Sequence, residues 1–513
     1  MRRALRRTWG PFLGRFGRVT PVQAEAIPIL LKGRSAVICA PTASGKTEAA
    51  ITPLVERYLP AGDDRLRILY VVPTRALVND LVRRLEGPLG DLRLTVIGKT
   101  GDRQALRKNE KPAVLVTTPE SMDSLLCRRP DLFEALRAVV LDELHLLDGG
   151  YRGDQLRVLL ERIPVPVQRV ALSATVHDPQ AMADRYLGPD AHVIQVGEAR
   201  SLDMQIVTSG EEAVALCRAA KRHKILWFCN TRKDAETAPQ ELKAVWPPER
   251  ILVHHGSLGR RERLSVERAM QEWPWGLCVA TMTLEIGIDI GDVDAVVLDR
   301  PPLTPSAFMQ RIGRACRRES RIFVVGVSRD EVDEADFDLL AELAAEGEVE
   351  PKDAEPDLSV AVQQVLSILF GAPAGIARSE VERLVEPLAP GMVLQLILGH
   401  LESEGWLVQG REGTLRATTT LMDAGAKGTI HGNIPDMRER TLRDAATGQP
   451  IASATAALSV GDTVVLAGKA RRVLSIGKSG VELGRASSGT APAFRARRSG
   501  GGWRWLLPEE LKK

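Results

Sequence analysis

A strand, a loop of small residues and an amphipathic helix follow one another over residues 35–59, and this order constrains the fold of the 513-residue chain more than any other feature. The apolar run SAVICA predicts a buried strand. The loop PTASGK joins it to TEAAITPLVERYL, in which apolar residues recur at helical spacing. Small residues let backbone N–H groups surround phosphate oxygens, and a helix N-terminus adds the positive end of its dipole. The segment therefore predicts an α/β sheet with a nucleotide-phosphate site at this loop.

Two side chains of the phosphate loop have distinct expected roles. Lys46 would reach the terminal phosphates of a bound nucleotide, and the hydroxyl of Thr47 would bind Mg²⁺. Ala40 stands where the general motif has its first glycine, and Ala43 replaces a frequent glycine. Because alanine has less backbone freedom than glycine, we expect modestly slower or weaker nucleotide handling. The remaining residues expected to line the nucleotide are Thr42, Ala43, Ser44 and Gly45.

A second strand, in AVVLDELH, ends in two carboxylates. Ligands bind beyond the carboxyl ends of strands in open α/β sheets. Asp142 would therefore hold Mg²⁺ through its water shell, and Glu143 would polarise the attacking water. The alternative is a strand-end pair that caps the following helix.

Composition limits how the chain could bind a polyanion such as nucleic acid. The net charge is +3 and aromatic residues make up 4% of the chain. A weak overall charge favours binding in a lined groove over bulk attraction, and few aromatics argue against a long base-stacking platform.

The six cysteines lie at positions 39, 127, 217, 229, 278 and 316 and form no C-x-x-C pair. We expect reduced thiols, with no zinc site, iron–sulfur cluster or disulfide framework. No apolar run approaches the roughly 20 residues that span a membrane, and we expect a cytoplasmic protein without membrane partners. The Arg-rich N-terminus is expected to belong to the fold, through Trp9, Phe12 and Phe16.

Strand and helix patterns alternate over residues 35–175 and again over 224–327, which predicts two parallel-sheet lobes of similar plan. Three amphipathic helices and a possible β-wing follow, which is a winged-helix pattern. The last 80 or so residues alternate short β-branched runs with Gly turns. The predicted domains are lobe 1 (1–195), lobe 2 (196–350), a winged helix (358–425) and a small β-barrel-like domain (427–513).

Further motifs follow in a fixed order: TPVQAEAIP, PTRAL, TTPES and SAT in the first lobe, then FCNTRKDAE, HHGSLGRRER, ATMTLEIGIDIGDVD and QRIGRACRR in the second. This series resembles the superfamily-two helicases of the RecA-like fold. The DELH form, YRGDQL, HHGSLGRRER and TLEIGIDIGDVD most resemble the Lhr-type (large helicase-related) family, densely over residues 10–325. The chain departs in its shorter C-terminal region and in Cys316, where the family usually has glycine.

The resemblance implies ATP and Mg²⁺ as cofactors and assigns roles to individual residues. Gln23 would read adenine, and Arg314 and Arg317 would meet the charge that develops on the γ-phosphate. Gly287 and Asp289 would lie near the ribose. The residues expected to couple hydrolysis to nucleic-acid grip are His145, Ser173, Thr175 and Gln310. The resemblance also implies that the winged helix packs on the second lobe.

Hydroxyls and N–H groups on loops that follow apolar strands can meet phosphate oxygens without reading sequence. The expected nucleic-acid contacts are Thr74, Arg75, Thr118, Thr231, Arg232, His255 and Thr281. The expected partners are single-stranded DNA or RNA and tailed duplexes.

Two functional hypotheses follow. The first is an ATP-dependent translocase and helicase, stimulated by a single strand and acting on DNA or RNA–DNA duplexes in DNA repair or related processing. The resemblance implies that it moves 3′ to 5′. The second is an ATP-gated nucleic-acid clamp, a subunit of a remodelling or defence complex that does not unwind processively. Ala40, Ala43, Cys316 and the shortened C-terminal region motivate the second hypothesis.

Overall fold

The computed structural model describes residues 1–41, 44–60, 62–63, 65–101, 112–174, 176–196, 201–285, 290–316, 321–347, 349, 355–433, 440–454, 458–466, 469–477, 480–486 and 501–512. The chain forms two compact units. The first comprises residues 1–197, 351–436 and 498–513, and the second comprises residues 198–350 and 437–497.

The first unit contains a seven-stranded parallel sheet in the order β3-β4-β2-β5-β6-β1-β7. Its strands are β1 (Ala36–Cys39), β2 (Ile68–Val71), β3 (Val96–Lys99), β4 (Val114–Thr117), β5 (Ala138–Leu141), β6 (Gln168–Ser173) and β7 (His192–Gln195). The helices are α1 (Pro21–Leu31), α2 (Lys46–Tyr58), α3 (Arg75–Gly90), α4 (Pro119–Arg128), α5 (Tyr151–Glu161) and α6 (Pro179–Tyr186). β1, β2, β4 and β5 are buried throughout, as expected for strands covered by helices on both faces.

The N-terminal segment packs on α2. The guanidinium of Arg7 donates to the carbonyl oxygens of Val55, Glu56 and Leu59 at 3.2, 2.6 and 2.5 Å. Phe12 is buried, which agrees with the expectation that this segment belongs to the fold.

The second unit contains a six-stranded parallel sheet in the order β10-β11-β9-β12-β13-β8. Its strands are β8 (Ser201–Val207), β9 (Lys224–Cys229), β10 (Ile251–His254), β11 (Gly276–Ala280), β12 (Ala295–Asp299) and β13 (Arg321–Val327). The helices are α7 (Gly210–Ala219), α8 (Arg232–Leu242), α9 (Arg260–Glu272), α10 (Pro305–Ile312) and α11 (Glu331–Glu346). The prediction of two parallel-sheet α/β lobes is confirmed.

Residues 358–426 form α12 (Leu358–Gly371), β14 (Ile376–Ala377), α13 (Arg378–Val385), α14 (Met392–Ser403), β15 (Leu407–Gln409), β16 (Thr414–Ala417) and α15 (Thr419–Ala426). β14, β16 and β15 pair as a small antiparallel sheet. Three helices and a hairpin thus occupy the segments in which the sequence predicts them. The winged-helix class itself stays a prediction.

The described core contacts of this module are with the first lobe, whereas the resemblance implies packing on the second. α12 packs on α4 and α5 of the first lobe, and Val158 of α5 belongs to the same apolar core as Val362 and Val365 of α12. Residues 501–512 join this core through Trp503. The apolar face of α12 is thereby buried against the lobe that carries the phosphate loop.

The second unit also contains a five-stranded sheet in the order β18-β17-β21-β20-β19. Its strands are β17 (Arg440–Asp444), β18 (Pro450–Ala454), β19 (Thr463–Leu466), β20 (Lys469–Gly477) and β21 (Gly480–Arg485). Leu258 and Val253 of the second lobe share an apolar core with this sheet. The predicted β-rich C-terminal region is confirmed. Among the described helices, none is long and apolar enough to cross a membrane.

Candidate active site

The phosphate loop turns into α2 through Gly45, whose φ is +90°. A Cβ at this position would lie 2.5 Å from Nε2 of Gln23, so both the conformation and the close packing favour glycine. Nζ of Lys46 donates to the carbonyl oxygens of Ala40 at 2.5 Å and Pro41 at 3.0 Å. The ammonium group is therefore held over its own loop, where the sequence predicts the phosphates.

The remaining loop residues are only partly described. The hydroxyl of Ser44 is buried and has no hydrogen-bond partner in the described part of the chain, so it can donate to a bound anion. Thr47 lies in the first turn of α2 and is half-buried. Thr42 and Ala43 lie outside the described residues.

The carboxylates of Asp142 and Glu143 follow β5, which lies between β2 and β6 in the sheet. Glu143 has a left-handed backbone with φ +48°, a conformation that strains a non-glycine residue and is often found at functional sites. Its N–H donates to Oδ1 of Asp142 at 2.9 Å. The strained turn places two acidic side chains at the strand end.

Burial, together with the charge of Glu143, raises the pKa of Asp142 to about 7. Lys46 and Arg84 act in the opposite direction. A divalent cation beside this carboxylate would favour its ionised form. The buried carboxylate of Asp142 is the observation that fits a cation here, and Mg²⁺ binding by Asp142 and Thr47 stays a prediction.

His145 joins the carboxylate segment to the SAT segment. Its Nδ1 accepts a hydrogen bond from N–H of Ala174 at 3.3 Å and lies 3.6 Å from Oε2 of Glu143. The neighbouring Ser173 is buried, and its hydroxyl has no partner among the described residues. Thr175 lies outside the described residues. His145 thus lies between the carboxylate strand end and the SAT segment that contains Ser173, and the coupling role of both residues stays a prediction.

Gln23 closes a capping box at the start of α1. Its Oε1 accepts from N–H of Thr20 at 3.1 Å, and its own N–H donates to Oγ1 of Thr20 at 3.4 Å. Its Nε2 donates to the carbonyl oxygen of Gly45 at 3.4 Å. Gln23 therefore ties α1 to the phosphate loop, and its contact with adenine stays a prediction.

In the second lobe, Arg314 is 1% exposed, and its guanidinium donates to the carbonyl oxygen of Glu285. The predicted finger is thus directed into its own lobe in this structure. Gln310 lies half-buried on α10. Arg317, Gly287 and Asp289 lie outside the described residues.

Cys316 has φ +50°, in the left-handed region that favours glycine. Its N–H donates to the carbonyl oxygen of Val293 at 2.8 Å, and its thiol lies 3.1 Å from the carbonyl oxygen of Asp294. The conformation gives a physical reason for the glycine that the resemblance leads one to expect here.

The candidate nucleic-acid residues of the first lobe lie after β2 and β4. Thr74 caps α3 by accepting from N–H of Leu77 at 3.3 Å, and Arg75 in the first turn is exposed. Thr118 precedes α4 and is 5% exposed. In the second lobe, Thr231 caps α8 by accepting from N–H of Asp234 at 3.1 Å. Thr74 and Thr118 thus follow neighbouring strands of the first sheet and Thr231 follows β9 of the second, and their nucleic-acid contacts stay predictions.

Two other residues of the second lobe make internal contacts. The guanidinium of Arg232 donates to Oγ of Ser257 at 2.7 Å. Thr281 is 5% exposed, and its N–H donates to the carbonyl oxygen of His254 at 3.2 Å. Their nucleic-acid contacts stay predictions.

A direct nucleic-acid contact of His255 is not supported. Its side chain is fully buried, with Nε2 2.8 Å from Oε1 of Glu236 and Nδ1 accepting from N–H of Ser257 at 3.3 Å. Both ring nitrogens are engaged inside the lobe. His255 holds the loop of the HHGSLG motif instead of presenting an atom at the surface.

Comparisons with known proteins identify two helicase domains in the chain. Residues 20–183 match the DEAD/DEAH box helicase family, and residues 210–319 match the helicase conserved C-terminal domain. ATP-dependent helicase Lhr-Core protein 2 of Thermococcus barophilus is 32% identical over 379 residues, which cover 64% of this chain and 44% of that protein. Lhr-Core of Methanothermobacter thermautotrophicus is 30% identical over 412 residues, covering 70% and 47%.

A solved structure of Mycobacterium smegmatis helicase Lhr, bound to ssDNA and AMP-PNP, superposes with a TM-score of 0.72 at 27% identity. The superposition covers 84% of this chain and 62% of the M. smegmatis chain. This chain belongs to the Lhr-type superfamily-two helicases. DNA-bound MrfA, at 20% identity and a TM-score of 0.75, shares the fold. This Lhr-type chain spans less than half the length of the Lhr-Core relatives described above.

Sequence reasoning about this Lhr-type chain missed Arg311. Its Nε donates to Oε1 of Glu285 at 2.7 Å, and a terminal nitrogen donates to Oδ1 of Asn230 at 2.8 Å. Its guanidinium also lies over the ring of Phe228. Arg311 thereby joins three of the family's motif segments. Its place inside QRIGR, between Gln310 and Arg314, was the available signal.

The Lhr-type chain also contains a buried polar cluster where the C-terminal module meets the first lobe. Ligand-type atoms of Asp123, Cys127 and His431 lie within 4.8 Å of one another. A nitrogen of Arg162 lies 3.1 Å from Oδ1 of Asp123, and another donates to Sγ of Cys127 at 3.2 Å. Because a guanidinium already neutralises this carboxylate, the cluster is better suited to an internal ion pair than to a metal.

Proposed function

We propose that the protein is an ATP-dependent nucleic-acid translocase and helicase. Its ATPase activity is stimulated by a single strand, and it moves 3′ to 5′ on DNA or RNA–DNA duplexes in DNA repair or related processing. The observation that carries the proposal is the position of His145, whose Nδ1 accepts from the N–H of Ala174 in the SAT segment and lies 3.6 Å from Oε2 of Glu143. This contact supports a route from the hydrolytic carboxylate to the segment assigned to nucleic-acid grip.

In this proposal, Lys46 leaves its loop carbonyls to bind the terminal phosphates, and the hydroxyl of Ser44 donates to a phosphate oxygen. Glu143 orients the attacking water and accepts its proton. Mg²⁺, bound through Asp142 and Thr47, would supply charge neutralisation at the phosphates. The protein's own contribution is to position these groups before the reaction.

Nucleic-acid grip is assigned to the helix starts that follow the strands of each sheet. Thr74 and Thr118 in the first unit and Thr231 in the second would meet phosphate oxygens through hydroxyls and backbone N–H groups. Such contacts read no base. The M. smegmatis Lhr structure, which contains ssDNA, supports a single strand as the ligand.

The test is steady-state ATPase activity without nucleic acid, with single-stranded DNA and with single-stranded RNA. Strong stimulation by one polymer is expected. Glu143→Gln should lower the stimulated rate by about 10²- to 10⁴-fold, whereas Glu134→Gln, which alters an exposed acid, should not. A Glu143→Gln variant that hydrolyses ATP at the normal rate would remove the assignment of the water-activating residue.

A second candidate function is an ATP-gated clamp that binds nucleic acid without unwinding it. The burial of Arg314, whose guanidinium donates within its own lobe, favours this candidate. Strand displacement on duplexes with a 3′ or a 5′ tail separates the two functions. Stimulated ATPase activity without displacement in either polarity would favour the clamp.

A further inference from the structure

A cleft of about 690 Å³ lies on the second unit, between one face of α9 and the start of β18. The α9 residues that line it recur at helical spacing, so they belong to one face. The lining residues are Arg260, Arg261, Leu264, Ser265, Arg268, Ala269, Glu272, Trp273, Gln449 and Pro450.

Three guanidinium groups give this cleft its charge. Within the described part of the chain, Arg260, Arg261 and Arg268 have neither an ion pair nor a side-chain hydrogen bond, and all three are exposed. Glu272 supplies the acidic group of the lining. Unpaired guanidinium groups retain their donors for a ligand, and their planar geometry suits phosphate oxygens.

The spacing of the arginines fits a phosphate backbone. Arg261 and Arg268 are seven residues apart on α9, which corresponds to about 10.5 Å along the helix. This separation exceeds the rise of about 3.4 Å per phosphate along one strand, so the two guanidinium groups can reach different phosphates of a backbone.

The cleft offers little for unstacked bases. The ring of Trp273 is covered by the guanidinium of Arg250, whose carbon lies 4.8 Å from the ring centroid. Gly276 packs against the same ring, because a Cβ there would lie 2.8 Å from it. Outside a motor groove, single strands are often held by aromatic faces that stack on bases, whereas a duplex keeps its bases stacked inside and presents its phosphate backbones outward. A duplex is the better fit.

The opposite wall is fixed to the HHGSLG motif. N–H of Gly259 donates to the carbonyl oxygen of Ile451, and N–H of Ser453 donates to the carbonyl oxygen of Ser257 at 2.8 Å. Leu258 and Ala452 form an isolated β-bridge. These contacts hold β18 beside the start of α9.

We propose that this cleft binds the phosphate backbone of a nucleic-acid duplex, outside the path of the single strand on the motor. The proposal rests on the proposed nucleic-acid function. It adds a second contact, through which Arg261 and Arg268 hold the paired part of a tailed substrate.

The test compares the salt dependence of binding to a tailed duplex and to its isolated single-stranded tail, without ATP. Arg261→Gln combined with Arg268→Gln removes two charges from the cleft. Lys221→Gln combined with Lys243→Gln removes two exposed charges elsewhere on the same unit. Loss of two phosphate contacts should reduce the slope of log affinity against log salt by about 1.8 for the tailed duplex.

With the tail alone, the arginine variant should keep both the wild-type slope and the wild-type ATPase stimulation. An unchanged slope on the duplex would overturn the proposal. An equal loss on the tail would assign the arginines to the single-strand path and also overturn it. A third outcome would also overturn the proposal: the arginine variant binds the duplex like the wild type but no longer binds polyglutamate. The cleft would then be a site for an acidic polypeptide.

The motor is tested separately, because stimulation of the wild-type ATPase by the tail does not depend on the cleft. A wild-type protein without stimulated ATPase activity would count against the motor. The duplex-binding slope would still decide the question of the cleft.

Discussion

Nδ1 of His145 accepts a hydrogen bond from the backbone N–H of Ala174 at 3.3 Å. An imidazole nitrogen that accepts is unprotonated, so a neutral ring would carry its proton on Nε2. The contact links the strand end that carries Glu143 to the end of β6. A movement at either segment therefore changes the geometry of the other.

We expect His145→Ala to separate hydrolysis from unwinding. Without the imidazole, Ala174 loses its partner, while Lys46 and Glu143 remain. Strand displacement should fall by more than tenfold, and the ATPase rate should fall less. Parallel displacement and ATPase assays check this expectation. His223→Ala, which alters an exposed ring in the second unit, should change neither rate. Equal losses of both rates in His145→Ala would contradict a coupling role.

The raised pKa of Asp142 predicts a pH dependence of metal–nucleotide binding. With a pKa of about 7, the carboxylate is mostly protonated at pH 6 and mostly ionised at pH 8. Because Mg²⁺ binds the ionised form, the affinity for Mg²⁺ with a non-hydrolysable ATP analogue should be about tenfold lower at pH 6. Calorimetric titration at both pH values checks this.

Asp142→Asn should remove most of this dependence. Titration of the nucleotide in EDTA provides the metal-free control. If the wild-type affinity is the same at pH 6 and pH 8, Asp142 is not the group that controls metal binding.

The cluster around Asp123 predicts loss of stability at alkaline pH. Burial alone would lower the pKa of His431, but the neighbouring Asp123 and Cys127 outweigh it and raise this pKa to about 9. An unfolded histidine has a pKa of about 6.5. The charged ring therefore contributes its full stabilisation below pH 6.5, and this contribution is lost as the pH rises through 9.

The expected loss is at most about 3 kcal/mol in the free energy of unfolding between pH 6.5 and pH 9.5. Urea denaturation across this range, followed by the fluorescence of the tryptophans near the module, measures it. His431→Gln should be less stable at pH 6.5 and should show a flatter profile. A wild-type profile that is flat over the same range would contradict a charged His431.

Cys316 allows a direct test of backbone strain. Glycine adopts φ +50° without steric cost, but it loses the thiol contact and gains entropy in the unfolded chain. Cys316→Gly should therefore change the free energy of unfolding by less than about 1 kcal/mol. Cys316→Val should destabilise by more than about 2 kcal/mol, because a β-branched residue is strongly disfavoured there. Thermal unfolding of both variants measures these changes in stability. If Cys316→Val were as stable as Cys316→Gly, the backbone strain at this position would be small.

The phosphate loop and the carboxylate strand end were predictable from sequence because strand, turn and helix patterns are local. The burial of Arg314 was not predictable from sequence. A long side chain can point outward or inward, depending on how Glu285 and its loop pack. His255 was misjudged for a similar reason. Two adjacent histidines at a strand end do not reveal that His255 is buried against the carboxylate of Glu236, nineteen residues earlier in the chain.

The position of the C-terminal module was equally hidden. Val158 fits the helical pattern of α5 whether it faces its own sheet or another module. Only the assembled core shows that it packs with α12. Periodicity identifies an apolar face, but the partner of that face depends on long-range packing.

The order of the two units along the chain affects how this protein can be divided. The polypeptide passes from one unit to the other four times, near residues 197, 350, 436 and 497. A fragment that ends after the second lobe would lack α12 and leave the apolar side chain of Val158 uncovered. The fragment would also lose β18, which holds the loop before α9. Cutting at the boundaries between sequence motifs would therefore yield pieces with exposed apolar surface. Each unit needs segments that are far apart in the sequence to become soluble and stable on its own.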